Sequence, residues 1–271
     1  MKVARRVARV LTPIALLVSS AMALSSCEKK QEIVAKNEIS QEAVKQINAL
    51  GFSARNAQQV KDGILVEGDI LLTKEMLNSK PESSFLRVGE EEQYRTINIV
   101  RLPRTINIAV SPGLPSQYVT ATDEAINRFN NAGTQLIFRR VTFGADMVIS
   151  ANNLEGNSLA RAGFPSNGNP FHEIIVDAWK LRDRDWNVPY LASLLAHEIG
   201  HCIGFRHTDY MNRQSCGEWV NEGYGIEGAV LIPGTPAGVD SNSWMLACIP
   251  FGNRPFTAND LTALRYLYLT R

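Results

Sequence analysis

Net charge is the first thing this chain lacks: 28 Lys and Arg face 27 Asp and Glu, leaving +1 at neutral pH. Phosphate binding needs basic residues in excess and gathered on one face, so a nucleic-acid partner is excluded. Internal repeats and low-complexity tracts are missing beyond the N-terminal leader, which removes solenoids and arrays. No apolar run is long enough for the ~20 residues of a membrane span. The nearest, residues 10–23, is broken by Thr12, Pro13, Ser19 and Ser20. Histidine is scarce, with four in 271 residues. What is present is an ordinary globular composition, 45% hydrophobic, enough for a sizeable core in one or two domains.

Three of the four histidines crowd into His197-Glu198-Ile199-Gly200-His201-Cys202-Ile203-Gly204-Phe205-Arg206-His207. On a helix His197 and His201 lie about 40° apart around the axis and project from one face, so they can share a metal ion. Glu198 flanks that face and can reach a water on the metal without being a ligand. Gly204 can take the left-handed conformation that ends a helix, so the chain can turn back and deliver His207. Three neutral imidazoles leave a fourth tetrahedral position for water, as catalytic zinc requires. A helix built only to pack has no reason for this spacing.

Downstream stands Asp240-Ser241-Asn242-Ser243-Trp244-Met245. Together the two stretches resemble the metzincin zinc endopeptidases, whose long histidine motif is followed by a methionine turn. The resemblance implies that His197, His201 and His207 bind zinc above Met245. More narrowly, residues 197–209, Ile232-Pro233-Gly234-Thr235-Pro236, Ser243-Trp244-Met245 and Phe256-Thr257-Ala258-Asn259-Asp260 are similar to the bacterial dual-action HEIGH metallopeptidases, over most of the chain after the leader. Thr208 follows the third histidine where matrix metalloproteases carry Ser and astacins Glu, and Ala247 stands where astacins place a tyrosine. Neither subfamily's substrate preference is therefore transferred.

The leader, residues 1–26, opens with Lys2, Arg5, Arg6 and Arg9 ahead of its apolar run, the order of a secretory signal. Leu24-Ser25-Ser26-Cys27 resembles the lipobox of bacterial lipoproteins, which implies cleavage before Cys27 and acylation of its thiol. Buried acyl chains contribute about 0.8 kcal/mol per CH₂, so two or more would hold the protein on the outer side of a membrane in the cell envelope.

Residues 27–101 read as a spacer and a small N-terminal region able to serve as a pro-segment. Glu28-Lys29-Lys30-Gln31-Glu32 is a charged spacer, and Ser40 reads as a helix cap with Gly51 as the stop. Ile64, Val66, Ile70 and Leu72 alternate around Gly68 as a hairpin does. Pro81-Glu82-Ser83-Ser84 and Gly89-Glu90-Glu91-Glu92 read as linker. Zinc proteases are often kept latent by a ligand from such a segment. After Cys27 it holds no cysteine, which excludes a cysteine switch. Asp62 or Asp69 can serve, as an aspartate does in astacins, but a solvated acid is the plainer reading, so neither is taken as a site residue.

Residues 102–271 read as a metzincin-like peptidase domain of the α+β class: a mixed, mostly parallel sheet, two long helices above the zinc cleft, and an irregular lower part ending in a C-terminal helix. Strands are expected over 105–111, 136–141, 145–150 and 173–177, and helices over 120–131, from Asn187 through the histidines, and from Thr257. Residues 160–164 read as an edge strand, where the resemblance implies pairing with the substrate backbone. Thr257 and Asp260 are spaced as a capping box, and that helix reads as structural. His172 reads as a surface or packing residue. With Cys27 acylated, Cys216 and Cys248 are expected to pair and Cys202 to stay reduced.

The reading is thus a zinc endopeptidase with Glu198 as general base, acting on protein or peptide and anchored through Cys27. Two alternatives stand beside it: a lipid-anchored binding protein with a vestigial zinc site, and a zinc amidase acting on cell-wall material. The vestigial site predicts a missing general base or a fourth protein ligand; Glu198 is present, and no fourth ligand is evident in the sequence.

Overall fold

The computed structural model describes residues 39–79, 93–182, 187–217, 229–236, 239–248 and 250–269, all within one compact unit. The readings of the signal segment, Cys27, the charged spacer and both linkers lie outside these residues.

Helix α1 (Gln41–Ala49) starts at Ser40, whose Oγ accepts the Ala43 N–H at 3.1 Å, and ends before Gly51 at φ +80°. Strands β1 (Gln58–Val60), β2 (Gly63–Val66) and β3 (Ile70–Thr73) make an antiparallel sheet. β2 and β3 are joined by the turn Glu67-Gly68-Asp69, and the short helix α2 (Lys74–Asn78) follows. Ile64, Val66, Ile70 and Leu72 close with Ile47 and Phe52 into a small core that takes in Phe164. After β4 (Tyr94–Arg95) comes the main body.

The main sheet is built from β5 (Arg104–Val110), β6 (Leu136–Arg140), β7 (Met147–Ala151), β8 (Ala160–Arg161) and β9 (Glu173–Val176), in the order β6-β5-β7-β9-β8. The first four run parallel, and β8 is an antiparallel edge. The crossover helix α3 (Ser116–Asn130) begins a turn earlier than expected, because Tyr118 and Ala121 are buried with Ala125 and Phe129 and extend the apolar face toward the N-terminus. Beyond the short α4 (Ala178–Arg182) lies α5 (Val188–Ile203), capped by Asn187 with Pro189 in its first turn. Its apolar residues Leu191, Leu195 and Ile199 join Ile106, Ile149 and Phe129 in the core. The opposite side of α5 is covered as well, so every residue from Tyr190 to Ile203 is buried. β10 (Val230–Leu231) pairs with β4, and α6 (Ala258–Tyr268) closes the chain with both halves of the Thr257–Asp260 capping box made. The result is a mixed helix-and-strand fold on a mainly parallel sheet.

Cys216 and Cys248 form the expected disulfide, and Cys202 is a buried thiol.

Candidate metal centre

Helix α5 carries His197 and His201 one turn apart. It stops at Gly204, with φ +113° and ψ 11°, where a β-carbon would lie 3.0 Å from the Asn98 carbonyl oxygen and 3.2 Å from Thr96 Oγ1. Only glycine fits both the left-handed turn and the close approach. The reversed chain brings in His207. Its Nε2 lies 3.2 Å from those of both His197 and His201, which are 3.1 Å apart from each other. Each ring's other nitrogen faces an acceptor: His197 Nδ1 the Trp244 carbonyl at 2.9 Å, His201 Nδ1 the Phe205 carbonyl at 2.8 Å, and His207 Nδ1 the Glu67 carboxylate at 2.9 Å. An acceptor at Nδ1 holds the neutral ring's proton there and leaves Nε2 as a bare lone pair. Three such lone pairs converge. Tetrahedral bonds of 2.0–2.1 Å require ligand nitrogens about 3.3 Å apart, so the spacing fits a metal ion.

A fourth group lies beside them, in the corner that the sequence reading leaves open for water. Asp69 Oδ2 lies 3.2 Å from His207 Nε2 and 3.3 Å from His197 Nε2. Its Oδ1 is 3.9 Å from His201 Nε2. The four ligand atoms all lie within 4.8 Å of one another. The β2–β3 turn packs across the histidine face of α5, a proximity hidden by a sequence separation of 138 residues from His207. Burial disfavours the Asp69 charge, but the neighbouring histidines, His207 above all, hold its carboxyl well below the usual range. Asp62, in contrast, is exposed and pairs with Arg161 at 3.3 Å, as a surface acid does.

The same turn supplies Glu67, which the sequence reading passed over. Its buried carboxylate takes the Nδ1 side of His207 and accepts from the Arg206 guanidinium at 2.6 Å. Arg206 is fully buried: it also donates to the Gly51 carbonyl at 2.9 Å and lies 4.0 Å over the Phe52 ring. Burial opposes the Glu67 charge, and Arg206 and His207 outweigh it, so its carboxyl sits below the ordinary value. Against its burial, Asp69 and Glu67 push His207 up to about 10, so without a metal its ring is a cation at neutral pH, and a bound metal would replace the Nε2 proton and leave the neutral tautomer. The same negative charge favours any cation among the nitrogens.

Residues 64–268 match the family model of the dual-action HEIGH metallopeptidases. The chain belongs to that family. It is therefore a peptidase, a hydrolase whose substrates are proteins or peptides and whose chemistry requires a metal. No curated protein matches it. Two solved structures of myroilysin are similar, each with a TM-score of 0.40. One is 16% identical and covers 64% of this chain and 98% of its own, and the other is 11% identical and covers 60% and 82%.

In this HEIGH metallopeptidase Met245 is buried beneath α5, where a β-carbon on Gly200 would meet its sulfur at 2.5 Å. The stretch holding it fixes two parts of the motif: Trp244 O takes His197 Nδ1, and Met245 O accepts the Thr208 N–H at 2.9 Å. Two buried acids hold that stretch in turn. Asp260 accepts from Ser243 Oγ at 2.8 Å and Gln93 Nε2 at 2.6 Å, and Asp209 accepts the Ala247 N–H at 2.8 Å. Asp260 was legible only as a cap.

Glu198 is buried, and its Oε2 has no hydrogen-bond partner among the described residues. Burial first, then the Asp69 charge, push its carboxyl well above the usual value. It borders a cleft of about 590 Å³ lined by His197, Tyr190, Leu194, Ala247 and the Glu67–Asp69 turn. His172 is exposed, packs beside Phe171 and takes no part.

Proposed function

We propose that this HEIGH metallopeptidase is a zinc-dependent endopeptidase of metzincin-like architecture in which His197, His201 and His207 hold the metal and Glu198 is the general base. The observation that carries the reading is the convergence of three Nε2 atoms beside the buried Glu198 carboxyl, whose Oε2 has no hydrogen-bond partner among the described residues. When bound, zinc polarises the scissile carbonyl and lowers the pKa of water to about 7. Glu198 takes the proton of the attacking water and delivers it to the leaving nitrogen as the C–N bond breaks, acting as base and then as acid. Trp244 O, Phe205 O and Glu67 keep the three rings in the tautomer that presents Nε2. Met245 supports the floor, and the edge at 160–164 aligns the substrate backbone. The loop over 230–245, of which residues 237–238 lie outside the description, would bind the chain beyond the cut.

We also read Cys27 as acylated and the protein as held at the envelope face of a bacterial membrane. The leader's charge order and its lipobox-like end support this. Among the described residues no helix is long and apolar enough to cross a membrane.

One observation favours a closed, non-catalytic metal site: Asp69 stands in the fourth corner. Against it, such a site has no use for a buried Glu198 whose Oε2 has no hydrogen-bond partner among the described residues. Glu198→Ala should bind zinc as the parent does and lose whatever casein hydrolysis the parent has, a loss of at least 10²-fold of the kind general-base removal produces. Undiminished cleavage by that variant would remove Glu198 from the mechanism. Chelator-sensitive release from peptidoglycan but not from casein would make the enzyme a cell-wall amidase.

A further inference from the structure

The β2–β3 turn does two things at once, and both fall where a substrate has to be. Asp69 places Oδ2 within 3.2–3.3 Å of two of the three Nε2 atoms, in the corner a water would need. Immediately after it the chain runs along the free edge of the main sheet. The Ala162 N–H donates to the Asp69 carbonyl at 3.0 Å, and the Leu71 N–H donates to the Ala162 carbonyl at 2.8 Å, a parallel bridge just past the end of β8. Both backbone groups that Ala162 could offer an incoming peptide are thus spent on this chain's own residues 69–71. The turn is also held down. Glu67 grips Arg206 and His207, and Arg213 donates to the Glu67 carbonyl at 2.8 Å.

We propose that the β2–β3 turn is an internal inhibitor. Asp69 closes the metal's fourth position, residues 69–71 occupy the substrate edge, and the Glu67 contacts keep the turn seated until it is withdrawn. This rests on the peptidase reading above for the identity of the site it closes.

The test loads the full chain with Co²⁺, whose visible absorption reports the number and kind of ligands, and compares the parent with Asp69→Ala, Asp69→Asn and the surface control Lys61→Ala. Casein hydrolysis is followed in parallel. With Asp69 as a ligand, the Asp69→Ala spectrum differs from the parent's and responds to added acetate, while the parent and Lys61→Ala stay unresponsive. Hydrolysis rises at least tenfold in Asp69→Ala only. Should Asp69→Ala fail to fold, the shape-conserving Asp69→Asn carries the same spectral comparison. Superimposable spectra for parent and Asp69 variants overturn the proposal, as does a parent that cleaves casein as fast as Asp69→Ala. A changed, acetate-responsive spectrum with no hydrolysis supports the plug and counts instead against the endopeptidase mechanism proposed above.

Discussion

Glu67 is constrained through both its backbone and its carboxylate. It holds left-handed backbone at φ +54°, a conformation uncommon outside glycine and asparagine, and divides its carboxylate between a buried arginine and the third histidine. Removing one partner of a buried ion pair is expensive because the other charge stays in place. Glu67→Gln keeps the shape and loses the charge. It should weaken metal binding about 10- to 100-fold, as loss of a carboxylate behind a histidine ligand does, measured by competition with a chromophoric chelator. An unchanged affinity would show that the His207 orientation needs no help from the turn. The histidines themselves were legible because helical period and one glycine place them without reference to the rest of the chain. Glu67 was not, and Asp69 only as one of two acids able to serve, since nothing local distinguishes an acid in a hairpin turn from a solvated one. Their role exists only once Ile64, Val66, Ile70 and Leu72 have docked beside Phe164.

Among the elements, α5 decides most and its C-terminal turn is its weakest point. Gly204→Ala puts a β-carbon into a left-handed residue and against two oxygens of the 96–98 segment. We expect a stability loss of about 1–3 kcal/mol and a larger fractional loss of metal than of fold, because the displaced element carries His207. Denaturant titration of the metal-free and metal-loaded forms separates the two, and equal losses in both would assign Gly204 to folding alone. The elements themselves were read from sequence wherever periodicity and caps agreed, as for α1, α6 and the parallel strands. α3 was begun a turn too late because Pro115 and Ser116 give no side-chain cap, so only the burial of Tyr118 marks the true start.

At the scale of the whole molecule, the metal centre draws on a turn near residue 67 and a helix ending near residue 203, so metal and N-terminal sheet should stabilise one another. Stripping the metal with a chelator is expected to raise amide exchange across β2 and β3 well before β5 and β7 are affected. Uniform exchange in both forms would separate the sheet from the metal. The disulfide between Cys216 and Cys248, 32 residues apart, staples the lower part independently of this linkage.

The last helix adds an obligation that its distance from the histidines conceals. Tyr268, at the end of α6, donates its hydroxyl to the Ile203 carbonyl at the foot of α5, and its own carbonyl accepts the Gln135 N–H at 2.7 Å ahead of β6. Asp260, one helix face away, ties down the residues around Met245. That helix is therefore a keystone: a chain cut ahead of residue 258 would keep every ligand and the methionine beneath them and lose the ties that hold both in place.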